Sequence, residues 1–130
     1  MSRLKYFFWL VDGGFIAYWI ITALHLIPAK YLYSDYTNPI LIDWNWSFFP
    51  LDIAISATGL YSLYAVKKGL PIWRVIALMS LVLTSVSGLQ AISYWILARD
   101  FDPTWWLPNL FLLLYPLFFI PRLIRSIIVR

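Results

Sequence analysis

At 130 residues the chain has room for one domain, and its 62% hydrophobic and 12% charged residues exclude an ordinary soluble fold, where roughly 25% charged is usual. A soluble core of this size cannot hide 8 Trp, 9 Tyr and 9 Phe among so many Leu and Ile, whereas lipid accepts apolar side chains on the outside of a fold. Cysteine is absent, which removes disulfides and thiolate chemistry, and the net charge of +4 is spread singly or in pairs between apolar runs, a pattern of membrane topology rather than nucleic-acid binding.

The first apolar run covers 4–27, long enough for the roughly 20 residues that cross a hydrocarbon core. It is too long for a cleavable signal peptide, lacks a small-residue cleavage site and contains Asp12. Asp12 sits about 12 Å along the helix from Leu4 at 1.5 Å per residue. Its side chain is expected as the protonated acid, donating to a backbone carbonyl or to a Ser of the third run; the functional alternative is a buried proton or cation site. Gly13 and Gly14 follow it, and small residues of this kind let a neighbouring helix come close. Tyr18, Thr22 and His25 share a different stripe of the same helix. His25 is the only histidine, so no multi-histidine metal site can form, and one His with two distant Asp has no recognisable ligand spacing. A solvated or singly bonded His25 is the simpler reading, a ligand-orienting His25 the sharper one.

The loop 28–45 is rich in Tyr and Trp and is expected to lie against the membrane surface. The second run covers 47–66. Ser47 as a cap, Pro50 in a first turn and Asp52 at the positive end of the helix dipole make a coherent helix start. Alternatively Asp52 turns inward on the stripe Asp52, Ser56, Gly59, Leu63, as the counter-ion of a cationic ligand. Trp44 and Trp46, with Trp105 and Trp106 of the far end, mark the outer interface, where an indole buries its ring and still donates its N–H.

After a short polar turn at 67–71, the third run covers 72–98. It carries Ala77, Ser80, Thr84, Ser87, Gly88 and Ala91 at helical spacing, a ribbon for close helix packing, flanked by Gln90 and Tyr94 as candidate cavity-lining groups. The fourth run, 104–124, contains Asn109 and Pro116. Pro116 deprives the carbonyl of Leu112 of its helical partner, and such breaks persist in membranes where protein or a water-lined cavity satisfies the freed group. The expected fold is therefore an all-α, integral membrane four-helix bundle, a single transmembrane domain over 1–130. Arg3, Lys5, Lys67, Lys68, Arg74, Arg122, Arg125 and Arg130 fall on one side of it and only Lys30 and Arg99 on the other, which puts both termini in the cytoplasm of a multi-pass cell-membrane protein. No nucleophile motif, glycine-rich phosphate loop or paired metal-ligand signature is present, and neither a metal nor a cofactor is expected.

Several residues carry a resemblance. In its overall four-span pattern the chain resembles the YvaD-like small four-span membrane proteins of bacilli. More distantly it is similar to the emopamil-binding/sigma-two receptor (EXPERA) group. The entry to the second run, Trp44-x-x-Ser47-Phe48 followed by Asp52, resembles that group's Trp-x-x-Ser-Phe with an acid five residues after the Ser. Pro116-Leu-Phe-Phe-Ile-Pro121 resembles its Pro-x-x-x-Ile-Pro, and Ile27-Pro28 its Leu-Pro at the close of the first helix. The resemblance implies a pocket among the helices for sterols or hydrophobic amines, with Asp52 anchoring the ligand's cation. Where the group has a second acid on the first helix, this chain has Thr22 with His25 nearby.

The expected function is binding of a small hydrophobic or cationic amphiphile, sterol-like in one version, in the outer half of the bundle. Asp52 is the anchor, with Gln90, Tyr94, Asn109, His25 and Trp44 around the guest. Rival readings are a non-catalytic interaction subunit with purely structural polar residues, and an EXPERA-like isomerase. The bilayer is the expected partner, nucleic acid is not, and a homo-oligomer is compatible with the sequence.

Overall fold

The structure is a computed structural model that describes residues 3–24 and 38–129. His25, and the Ile27-Pro28 closing of the first run, lie outside the described residues. Among the described residues the protein is all-α: α1 (Leu4–Ala23), α2 (Pro39–Ser47), α3 (Phe49–Lys67), α4 (Trp73–Leu97) and α5 (Pro103–Ile128). Four segments are long and apolar enough to cross a membrane: α1, the 29 residues Pro39–Lys67 that join α2 to α3, α4 and α5.

The second segment starts earlier than the apolar pattern indicates. Asn38 accepts a bond from the backbone N–H of Ile40 at 3.0 Å and Pro39 follows in the first turn, a complete start signal within the stretch expected to be loop. Ser47 is consequently not a cap: its hydroxyl donates to the carbonyl of Trp44, three residues back. Pro50 cannot donate a backbone N–H, and the helix is interrupted at Phe48 before resuming as α3.

The turn after α3 is closed by Gly69, whose φ of +71° suits a residue without Cβ. Its N–H bonds to Val66 O (3.1 Å) and that of Leu70 to Ala65 O (2.8 Å), the paired pattern of a Schellman ending. Arg99 plays the same part after α4 at φ 56°, with Asp100 N–H reaching Trp95 O at 2.9 Å. Asp102 then caps α5 by accepting from Thr104 N–H at 2.9 Å, ahead of Pro103. The fourth helix runs past 124 to Ile128 because Arg122, Arg125 and Ser126 are acceptable helix formers beyond the apolar stretch.

α4 is central, with α3 and α5 packed on it, and α1 packs on α3. The ribbon behaves as expected: Ala77, Ser80, Thr84, Ser87, Gly88 and Ala91 are all buried. A Cβ at Gly88 would lie 2.6 Å from both Asn109 O and Leu113 N, so the backbones of α4 and α5 meet there directly. Gly13 and Gly14 correct the expectation made for them: nothing lies within 4 Å of a Cβ built on either, and no helix approaches there. Beside Pro116, the hydroxyl of Ser85 donates to Leu113 O at 3.0 Å, α4 supplying a donor to the disturbed stretch of α5.

The two ends of the bundle differ. Leu4, Phe8 and Val11 of α1, Ala77 and Leu81 of α4, and Tyr115 and Leu123 of α5 form a closed apolar cluster at the end where the chain begins. Phe7 bridges α1 to α5 there, stacked on Tyr115 with centroids 4.9 Å apart and edge-on to Phe119 at 5.2 Å. At the opposite end the same helices stand around a hollow.

Candidate functional site

The hollow is a cavity of about 570 Å³ within the range typical of small-molecule sites. Its inner wall comes from Asp52 of α3 and Ser87, Ala91 and Trp95 of α4, all buried. Leu10 and Gly14 of α1 and Thr104, Pro108 and Phe111 of α5 also line it and are exposed, so its open side lies between α1 and α5.

Asp52 is 5% exposed. Its Oδ2 accepts from the indole Nε1–H of Trp19 at 2.9 Å, while Oδ1 has only the Ser87 hydroxyl at 3.5 Å, the outer limit of a hydrogen bond. One carboxyl oxygen is thus firmly held and the other has capacity to spare, facing the cavity wall. Asn45 stands nearby on α2. Its Oδ1 accepts from the Tyr18 hydroxyl at 2.9 Å, and its buried Nδ2 has no hydrogen-bond partner. The cavity is therefore lined by an under-used acceptor and an under-used donor; a hydroxyl satisfies both, and a protonated amine satisfies the acceptor.

Of the residues singled out from sequence, Asp52, Trp44 and Asn109 come together here. Trp44 stacks on Tyr94 at 4.3 Å and meets Trp95 edge-on at 5.3 Å, which places Tyr94 behind the wall rather than in it. Asn109 spends its Nδ2 on the carbonyl of Trp105 at 2.7 Å, bonding its own helix. Gln90 is exposed and does not line the cavity; it sits beside Leu89 on the outward side of α4, since the ribbon takes the inward side. Nothing local in the sequence marks Trp19, Tyr18, Asn45 and Ser87 for these roles. Ser87 belongs by spacing to the small-residue ribbon, and Asn45 to the stretch 28–45 expected to be loop.

Asp12 is not part of this cavity. It is fully buried beneath it, and its carboxyl lies on Gly59, where an added Cβ would coincide with Oδ2 and come within 3.1 Å of Ser80 Oγ. The expected bond from Asp12 to a Ser of α4 or to a carbonyl is not formed. Both carboxyl oxygens lack a partner, as does the buried Tyr115 hydroxyl, while Ser80 donates instead to Ile55 O at 3.0 Å. Ser56 donates to the backbone carbonyl of Asp12 at 2.9 Å, tying α3 to α1. Among the described residues no group of three His, Cys, Asp or Glu side chains converges as metal ligands would.

The chain matches, over residues 4–129, a family described as "Family of unknown function (DUF5360)". It belongs to that family. It is also 52% identical to "Uncharacterized protein YvaD" of Bacillus subtilis (strain 168) over 126 residues, which is 97% of this chain and 95% of that protein. No solved structure matches. The resemblance to YvaD-like proteins is thereby shown, and the more distant EXPERA resemblance is not. In this DUF5360 member the Trp19 bond to Asp52 makes a direct test available. Trp19→Phe keeps a ring against Trp46 (4.9 Å) and Phe49 (5.4 Å) but removes the N–H. It is expected to cost about 1 kcal/mol in unfolding titrations in mixed micelles. A change below the scatter of the titration would show that the indole N–H adds nothing.

Proposed function

We propose that this protein binds a small amphiphile, cationic or hydroxyl-bearing, in the cavity between α1 and α5. The observation that carries the reading is Asp52: a buried carboxyl on the inner wall of a cavity of ligand size, with one oxygen held by Trp19 and the other scarcely engaged. A hydroxyl would donate to Asp52 and accept from Asn45 Nδ2, whereas a protonated amine would donate to Asp52 alone, and Trp44, Trp95 and Trp105 would enclose the apolar body, the usual division of labour in such sites. The excess of Lys and Arg beside the chain ends supports a multi-pass protein of the cell membrane with cytoplasmic termini, so that the cavity belongs to the outer half.

The test is binding of a fluorescent tertiary-amine amphiphile to protein in lipid nanodiscs. Asp52→Asn is expected to weaken it by about tenfold to hundredfold, the loss of a charge-assisted bond. Equal affinity of wild type and variant for tertiary and quaternary amines and for a neutral sterol would end this reading.

A second reading, an interaction subunit whose polar side chains only hold helices together, draws support from the buried hydroxyls of α4. Thr84 bonds Ser80 O at 2.8 Å and Ser80 bonds Ile55 O, both spent on backbone. On that reading Ser80→Leu abolishes assembly while Asp52→Asn leaves function intact. An isomerase, the version closest to the EXPERA resemblance, would instead lose turnover but keep binding in Asp52→Asn.

A further inference from the structure

At the closed end of the bundle, opposite the amphiphile cavity, a second cavity of about 380 Å³ lies among Arg3, Arg74 and Arg122. These arginines come from three different elements: the residue before α1, the first turn of α4 and the late turns of α5. Among the described residues, no acidic side chain lines the cavity. The chain's six acids are Asp12, Asp35, Asp43, Asp52, Asp100 and Asp102, with no Glu, so this arginine cluster has no acid close by in sequence either. Arg74 has a buried Nε with no hydrogen-bond partner, and its guanidinium lies 4.9 Å from the centroid of the Trp73 ring. A guanidinium held in place with an unused buried donor is unusual, because burying such a group without a partner is costly.

The backbone adds to the same field. α1 and α4 both begin at this cavity, neither has a side-chain cap, and neither has an acidic residue in its first turn. Two positive helix ends and three arginines thus converge here, opposed among the described residues only by the carbonyl end of α5, which carries no acidic side chain. The remaining wall is apolar: Leu4, Trp73, Phe119 and Leu123. An anion that carries its own hydrocarbon fits that division.

We propose that this cavity binds an anionic phospholipid, its phosphate bonded by Arg74 and Arg122 and the start of its acyl chains lying on Trp73, Phe119 and Leu123. The site stands at the end of the spanning helices, at the depth where headgroup phosphates are found, and basic pockets between helices commonly hold such headgroups. It is independent of the amphiphile reading, since no residue is shared between the two cavities.

The experiment measures thermal unfolding in detergent with added phosphatidylglycerol or phosphatidylcholine, together with the count of lipids retained in native mass spectrometry. Wild type is expected to be stabilised by phosphatidylglycerol over phosphatidylcholine and to retain it. Arg74→Gln and Arg122→Gln are each expected to weaken that preference about fivefold. Arg122 is exposed, so its replacement leaves the packing alone should Arg74→Gln fold poorly. Arg125→Gln removes the same charge from the same helix outside the cavity and is expected to keep the preference. An equal loss in Arg125→Gln reduces the effect to general surface charge and overturns the site, as does a wild type indifferent to headgroup. Equal protection by inorganic phosphate alone identifies a free anion and overturns the lipid, and equal protection by an oligoglutamate peptide identifies an acidic protein partner and does the same.

Discussion

Gly88→Leu is expected to separate α4 from α5 and leave little folded protein. Even an alanine Cβ there would stand 2.6 Å from the carbonyl oxygen of Asn109 and the amide nitrogen of Leu113. Both are backbone atoms, so no rotamer change relieves the clash and the helices themselves must move apart. Overpacking usually costs about 1–3 kcal/mol, and Gly88→Ala belongs at the top of that range. In lipid the loss is not softened by a hydrophobic drive between helices, because association there rests on close packing and hydrogen bonds. Gly13→Ala is the matched control. Nothing lies within 4 Å of its Cβ, and the better helix propensity of alanine should leave stability unchanged or raised by up to about 1 kcal/mol. Unfolding in mixed micelles compares the two, and similar losses at both positions would contradict the close approach at Gly88.

The second large effect concerns Asp12 and Gly59. A Cβ on Gly59 would occupy the place of Asp12 Oδ2, with Ser80 Oγ next at 3.1 Å. Gly59→Ala alone is expected to cost about 2 kcal/mol, since the carboxyl is enclosed and cannot swing away. Asp12→Ala removes the obstacle, and it also removes two buried oxygens that have no hydrogen-bond partner. In that background Gly59→Ala should cost far less, giving a coupling of about 1–2 kcal/mol in a double-mutant cycle. Strict additivity would mean that the two residues do not touch. A large favourable coupling would place the Asp12 carboxyl directly against Gly59.

How much of this was legible in the chain divides along physical lines. The four spans and the packing face of α4 follow from apolar length and from small residues at helical spacing, and both are local in sequence. For Asp52 the sequence leaves a helix start and an inward turn both open, and the burial of Asp52, Ser56 and Gly59 on one stripe decides for the inward turn. What could not be read is which small residues face a neighbour. Gly13 and Gly14 look as suited to close packing as Gly88, yet only the rotation of each helix in the bundle decides, and that rotation comes from partners distant in the chain. Gln90 shows the same gap: it is one helical step from the ribbon and ends on the outward side. The indole bond from Trp19 links residues 33 apart, with no spacing rule to announce it. The start of α2 is legible in Asn38-Pro39, a cap followed by a first-turn proline, although the apolar pattern alone begins later.

The exposed walls of the larger cavity belong to α1 and α5, two of the four helices long and apolar enough to cross a membrane. On the proposed reading, a guest arrives by diffusing sideways out of the leaflet rather than from water. Its occupancy is then set by its mole fraction among the lipids, and an apparent affinity measured against total aqueous concentration will shift with the amount of vesicle or detergent in the assay. Compounds of equal intrinsic fit will rank by their partition coefficients unless the dose is expressed per lipid.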